Sequence, residues 1–82
     1  MQHDKEYVIR LNGFDLGQML DGLEVRARSW RDTATFLQTG VVPSLDFLAE
    51  ECCDAAEALQ LAEHYEHIMT RLREQRAQQD RP

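Results

Sequence analysis

Basic residues are absent from the middle of this chain. Between Arg31 and Arg71 there is no lysine or arginine, whereas eight acidic residues fall in the same interval. The formal net charge at pH 7 is −6. Because affinity for a phosphate backbone comes mainly from cations that displace counterions, this balance argues against direct binding of nucleic acid. One region of the folded molecule should therefore carry a strongly negative surface.

Cysteines are scarce, and long apolar runs are missing. The only two cysteines, Cys52 and Cys53, are adjacent and cannot join distant parts of the chain, so we interpret them as reduced intracellular thiols. No apolar run is long enough to cross a bilayer, and no cationic stretch leads into an apolar segment at the start. These absences predict a soluble cytoplasmic protein that does not associate with membranes.

Catalytic motifs are missing as well. The sequence has no glycine-rich phosphate loop, no nucleophile beside a base in a motif, and no carboxylate pair that spacing would place in a pocket. We therefore expect neither enzyme activity nor a cofactor. Cys52, Cys53, His64 and His67 leave a metal-responsive protein as one alternative. Zinc needs three or four converging ligands, however, and surface histidines are the commoner explanation.

A long amphipathic helix is the first strong signal among the residues that are present. Asn12 as N-cap with Asp15 at the third helical position predicts a start near residue 13, and Gly40 followed by Pro43 predicts an end near residue 38. Between these signals, apolar residues recur at alternating spacings of about three and four, as in a heptad seam. The seam consists of Leu16, Leu20, Leu23, Ala27, Trp30, Ala34 and Leu37.

A second long helix is predicted to open at Asp54, which forms a capping-box pattern with Glu57. Its broad apolar stripe suggests contact with more than one neighbouring helix. Between the two helices, Ser44 is expected to cap a brief helical turn at residues 44–48. Such a short connection makes the two helices antiparallel neighbours. The stripe contains Ala58, Leu61, Tyr65, Ile68 and Leu72, widened by Ala55, Ala62 and Met69.

The chain as a whole is predicted to be one mainly all-α domain over residues 1–82, flexible at 1–6 and 76–82. A lone helical hairpin leaves much of each apolar stripe exposed to solvent, so a homodimer that forms a four-helix bundle is the leading architecture. In the alternative, a monomer covers its open face with the turn and with residues 7–11. These residues alternate as a β-strand would, and they either lie against the helices or pair with a copy of themselves.

Two stretches resemble short helical proteins found in bacterial and phage genomes: LDGLEVRARSWRDTATFL at residues 20–37 and EECCDAAEALQLAEHYEHI at residues 50–68. Such proteins generally have no assigned activity. The likeness covers most of residues 7–72, consists mainly of amphipathic pattern, and carries no functional residues over. It implies a similarity to small acidic phage inhibitors of host defence, including anti-CRISPR proteins that occupy nucleic-acid-binding surfaces.

The function that we expect is that of a small acidic protein–protein interaction module. An acidic face would meet a basic surface on the partner, and an apolar strip on the first helix would supply affinity. If that basic surface normally binds nucleic acid, the protein would be an inhibitor that blocks it. The alternative is a structural or regulatory homodimer whose acidic face only keeps it soluble. The predicted acidic contacts are Asp46, Glu50, Glu51, Asp54, Glu57 and Glu63, and the predicted apolar contacts are Val25 and Phe36.

Overall fold

Two long helices form nearly all of the regular structure in residues 4–81, the part of the chain that the computed structural model describes. Helix α1 spans Gly13–Thr39, and helix α2 spans Ala55–Gln79. They pack against each other as a hairpin, and no β-strand forms within residues 4–81. The predicted all-α hairpin is therefore confirmed. Of the predicted flexible ends, residues 1–3 and 82 lie outside the described residues, and α2 continues as regular helix to Gln79.

The helix ends lie where the local chemistry predicts them. Asn12 Oδ1 accepts a hydrogen bond from the backbone N–H of Asp15 at 2.8 Å, and Asp54 Oδ1 accepts one from the N–H of Glu57 at 2.9 Å. Each bond satisfies a backbone donor that the first turn of a helix leaves without a helical partner. Gly40 ends α1 with φ of 74°, a left-handed conformation that glycine adopts without strain at Cβ.

The core lies along the line where α1 and α2 touch, and it has two parts. Its buried residues are Trp30, Ala34, Ala58 and Ala62 in one cluster, and Leu20, Ala27 and Met69 in the other. Along this line the α1 numbers fall as the α2 numbers rise, so the helices are antiparallel, as predicted. Trp30 is 6% exposed, which confirms the burial that its place in the seam predicted.

The contact line on α2 runs along one flank of the predicted stripe. Ala58 and Ala62 have no exposed surface, and Met69 is buried with them. Leu61 and Ile68 lie near the centre of the predicted stripe, but they are only half-buried in the structure. Small side chains allow the two backbones to approach closely, so the alanines rather than the larger residues lie at the point of contact.

Leu37, the last residue of the predicted seam, is exposed. After α1, residues 40–54 form the connection between the helices, and they turn back along α1. The first turns of α2 therefore pack against Trp30 rather than against the end of α1. The end of α1 therefore has no helical neighbour. The connection partly covers it, because Phe36 packs against Phe47 with ring centroids 5.5 Å apart.

The connection contains a single hydrogen-bonded turn where a brief helical turn was predicted. Phe47 donates its backbone N–H to the Ser44 carbonyl at 3.3 Å. The Ser44 hydroxyl donates to Asp46 Oδ1 at 2.9 Å. A serine that caps a helix must accept from a backbone N–H, and here its hydroxyl is used within the turn instead. No α-helix forms between Gly40 and Asp54.

Within residues 4–81, the large exposed apolar side chains all lie at or before residue 48. On α2 no large apolar side chain is in the exposed class, so α1 and the connection already cover much of that helix's stripe. The open stripe that favoured a four-helix bundle is therefore largely covered on α2. The exposed residues are Tyr7, Val8, Ile9 and Leu11 before α1, Phe14, Met19, Val25 and Leu37 on α1, and Val41, Val42, Leu45 and Leu48 on the connection.

Candidate functional site

Glu50 fastens the connection to the middle of α1. Its Oε1 atom accepts hydrogen bonds from Ser29 Oγ at 2.8 Å and from Arg26 Nη1 at 3.0 Å. Its backbone N–H donates to Thr33 Oγ1 at 3.0 Å, and Thr33 has no exposed surface. We call these four residues the Glu50 clasp. Because the three α1 residues span about two helical turns, the clasp fixes both the position and the direction of the connection.

Replacing Thr33 with valine is expected to lower the free energy of unfolding by about 1 kcal/mol, because valine has a similar shape but cannot accept the Glu50 N–H. Thr35→Val is the matched control. The Thr35 hydroxyl donates only to the Arg31 carbonyl on the exposed side of α1, so this change should stay within about 0.5 kcal/mol. Urea denaturation followed by Trp30 fluorescence measures both variants. Equal losses would show that the Glu50 clasp does not hold the connection.

Asp54 and Glu57, both predicted as partner contacts, stabilise the start of α2. Besides the Asp54 cap, Glu57 Oε2 accepts the backbone N–H of Cys53 at 3.2 Å. A hydrogen bond to Glu57 raises the pKa of the Cys53 thiol, and burial raises the pKa of the Cys52 thiol. Because the thiolate is the nucleophilic form, the raised pKa values make both thiols less reactive as nucleophiles.

Most of the predicted acidic region remains without cationic partners. Of the eight acidic residues between Arg31 and Arg71, Glu50 pairs with Arg26 at 3.0 Å and Glu66 pairs with Arg31 at 2.7 Å. The other six form no ion pair with any residue in 4–81. These six are Asp32, Asp46, Glu51, Asp54, Glu57 and Glu63. No described cation offsets the charge of any of these six carboxylates, which lie at several places on the molecule.

The Arg31–Glu66 pair links α1 to α2. Arg31 Nε and Nη2 donate to the two carboxylate oxygens of Glu66 at 2.9 and 2.7 Å, a bidentate arrangement. The hydrogen bond from Arg31 lowers the pKa of Glu66 below its usual value, and the same bond raises the pKa of Arg31. Both side chains are more than a third exposed, so solvent screening limits the pair to about 0.2–1 kcal/mol. A depression of about 250 Å³ beside it is lined by charged groups that largely neutralise one another.

A groove between α1 and the connection brings together apolar and acidic side chains. It has a volume of about 190 Å³. Val25 and Leu48, which are 65% and 84% exposed, provide apolar surface, and Asp32 and Asp46 provide carboxylates. We call this feature the acidic groove. Arg28 also lines it, but its guanidinium donates to Glu24 at 3.1 Å.

The structure distributes the predicted contact residues over several places. Val25 and Asp46 meet in the acidic groove. Phe36 does not line that groove, because it packs against Phe47. Glu51 and Glu63 are exposed and lie outside the groove. The apolar strip predicted from Val25 and Phe36 is therefore divided, and the connection covers the Phe36 end.

Asp32 and Leu48 line the groove but were not among the residues predicted to bind a partner. A signal for Asp32 existed, because residues 25, 29 and 32 share one face of a helix through spacings of four and three. Nothing local signalled Leu48. Its position depends on the Glu50 clasp, which forms between distant parts of the chain.

Histidines and cysteines do not gather into a metal site in the region that the structure covers. Within residues 4–81, no group of three or more His, Cys, Asp or Glu side chains could hold a metal ion. His64 and His67 are both exposed on α2. The metal-responsive alternative that rested on these residues gains no support.

Comparisons with protein-family models, with curated proteins and with solved structures found no match for this chain. Neither helix in the described range is long and apolar enough to span a membrane. The observations that bear on function are therefore the geometry and charge of the acidic groove and of the surface around it.

Proposed function

We propose that this protein is a small interaction module that binds a basic protein surface through the acidic groove. The observation that carries the proposal is the meeting of exposed Val25 and Leu48 with Asp32 and Asp46 in one concavity. Buried apolar contacts would supply most of the affinity. Unpaired carboxylates would speed encounter with a cationic partner and reject acidic ones. An acidic face that served solubility alone would not need apolar side chains beside its carboxylates.

Within this proposal, the partner's basic surface is one that ordinarily holds nucleic acid, and the protein acts as an inhibitor by occupying it. Lysine and arginine side chains that bind phosphate also bind carboxylate through charge-assisted hydrogen bonds. The six acidic residues without an ion pair support this extension. The net charge of −6 would keep the module itself away from nucleic acid.

The double variant Asp32→Asn/Asp46→Asn tests the groove. Wild-type protein and the variant are each immobilised and exposed to a native lysate. Each protein that is retained is purified, and its affinity for the wild type and for the variant is measured by titration. We expect the variant to bind about tenfold more weakly, because each lost charge–charge contact is worth on the order of 0.5–1 kcal/mol. The matched control is Glu74→Gln/Asp80→Asn, which removes the same charge from the exposed end of α2 and should leave the affinity unchanged.

Several outcomes of this experiment would contradict the proposal. Equal weakening by both double variants would mean that only bulk charge matters. Unchanged binding by the groove variant would place the contact elsewhere. Val25→Ser should also weaken binding, whereas Val42→Ser, at an exposed position outside the groove, should not. For the inhibitor extension, nucleic acid added to the retained protein should displace the module, and failure to compete would exclude that step.

The second candidate function is a structural or regulatory homodimer with no inhibitory role. The observation that favours it is the apolar surface left exposed before α1, at Tyr7, Val8 and Ile9. Sedimentation at several concentrations, combined with the lysate experiment, separates the two candidates. A dimer that retains no other protein would favour the structural candidate, and a monomer that retains one would exclude it.

A further inference from the structure

The N-terminal segment before α1 has the properties of a β-strand that lacks a partner. Tyr7, Val8 and Ile9 are 67%, 95% and 74% exposed. Residues 7–11 make no backbone hydrogen bond to any other residue in 4–81. β-Branched and aromatic residues favour strands, and open backbone donors and acceptors form a template for pairing with another strand.

Side-chain geometry within the segment already matches an extended chain. The Lys5 ammonium lies 5.6 Å from the centre of the Tyr7 ring. In an extended chain, residues two positions apart lie on the same face, so this contact is the one that a strand would make. Tyr7, Ile9 and Leu11 share that face by the same alternation.

Charge distinguishes this segment from the rest of the molecule. Residues 4–12 contain two acidic side chains, Asp4 and Glu6, and two basic ones, Lys5 and Arg10, so their net charge is zero. The net charge of −6 therefore lies entirely outside the segment. Two copies of the chain, which repel each other elsewhere, can approach here without net repulsion.

We propose that the N-terminal segments of two copies pair as antiparallel strands centred on Val8, which makes the protein a homodimer. In this register, Tyr7 lies opposite Ile9 of the second copy, and Glu6 lies opposite Arg10 of the second copy. Symmetry repeats each pair. Apolar and oppositely charged cross-strand pairs each contribute roughly 0.2–1 kcal/mol, so four favourable pairs surround the central valines.

Neighbouring registers lose these pairs. A shift by one residue in one direction makes Lys5 face Arg10 of the second copy. A shift by one residue in the other direction makes Glu6 face Leu11. Shifts by two residues place Val8 opposite Glu6 or Arg10. Like charges directly opposite each other are destabilising, and none of these shifted registers pairs Glu6 with Arg10. Only the register centred on Val8 pairs Glu6 with Arg10 in both symmetry-related positions, and it places Lys5 opposite Leu11.

Exposed apolar side chains of α1 lie close enough along the chain to pack against the apolar face of the paired strands. A two-stranded ribbon is marginally stable in water unless one face packs against something else. Phe14 is exposed in the first turn of α1, two residues after the segment ends, and Met19 is exposed further along the same helix. These side chains of the two hairpins would flank the face formed by Tyr7, Ile9 and Leu11. Of the two helices, only α1 offers large exposed apolar side chains for self-association, because α2 exposes none.

Exchange of the two charges tests both the pairing and its register. Sedimentation velocity over a range of concentrations compares wild type, Glu6→Arg, Arg10→Glu and an equimolar mixture of the two variants. Wild type should dimerise, and each variant alone should dimerise roughly tenfold or more weakly, because both attractive pairs become repulsive. The mixture should form a heterodimer of near wild-type affinity, since each chain then brings the charges that the other needs.

Proline substitution provides a second measurement that does not depend on charge. In an antiparallel pair, neighbouring residues alternate between pointing their N–H groups toward the partner and away from it. One of Val8→Pro and Ile9→Pro must therefore remove a bond between the strands, and the two variants should weaken the dimer unequally. Circular dichroism should show unchanged helix content in both, because no backbone hydrogen bond within residues 4–81 joins residues 7–11 to the helices.

Three results would overturn the proposal: wild type that stays monomeric at every concentration, a dimer that none of these variants weakens, or charge variants that mixing does not restore. The second result would instead indicate a dimer formed through the helices. Asp32→Asn/Asp46→Asn should leave dimerisation unchanged. Failure of strand pairing would therefore leave the groove proposal standing, and failure of the groove proposal would leave strand pairing standing.

Discussion

Replacing Trp30 with alanine is expected to lower the free energy of unfolding by about 3–5 kcal/mol. The indole is buried against Ala34, Ala58 and Ala62, and its removal would leave a cavity beside these small side chains. A domain of this length has a total stability of roughly 4–12 kcal/mol. The loss is therefore a large share of the total stability, and it would unfold the protein if the total lies at the low end of that range. Urea denaturation followed by far-ultraviolet circular dichroism measures the loss without relying on the removed fluorophore.

Two control variants make the Trp30 result specific. Trp30→Phe keeps most of the apolar volume and removes an Nε1–H that is buried without a hydrogen-bond partner among the described residues, so its loss should stay below about 2 kcal/mol. Leu45→Ala changes a fully exposed side chain and should have an effect within about 0.5 kcal/mol. If Trp30→Ala cost no more than Leu45→Ala, the antiparallel packing described above would be wrong.

Both helices could be predicted from the sequence because their end signals act over one turn. Asn12, Gly40 and Asp54 each satisfy or terminate a helix through atoms within a few residues of themselves. The contact line between the helices is a different kind of property. Several apolar faces of α2 were available, and the choice of the Ala58–Ala62 flank depends on how closely α1 approaches, which local patterns do not determine.

The candidate groove could be predicted only in part, because a long-range contact shapes it. Glu50 and Ser29 are 21 positions apart in sequence, and their hydrogen bond fixes where the connection runs. In the sequence, Glu50 is indistinguishable from the exposed Glu51 beside it. The same reasoning explains the missed Leu48, whose place in the groove follows from the clasp. Val25 could be predicted, since it lies on a regular helix away from the seam.

The contact flank of α2 leads to a prediction about overpacking. Ala62→Leu is expected to lower the free energy of unfolding by about 2–3 kcal/mol, because the added carbons must displace the Trp30 ring or separate the helices. Ala56→Leu is the matched control on the exposed side of the same helix. Alanine and leucine have similar helix propensities, so the control should stay within about 0.5 kcal/mol. Urea denaturation followed by Trp30 fluorescence measures both variants.

The same pair of variants distinguishes the observed contact line from the one predicted by the apolar stripe. If α2 instead met α1 along the line through Leu61, leucine would be tolerated equally at positions 56 and 62, and Leu61→Ala would cost more than either. In the observed packing Leu61 is half-buried, so its truncation should cost less than the overpacking of Ala62. The order of these three free energies therefore identifies the face of α2 that lies against α1.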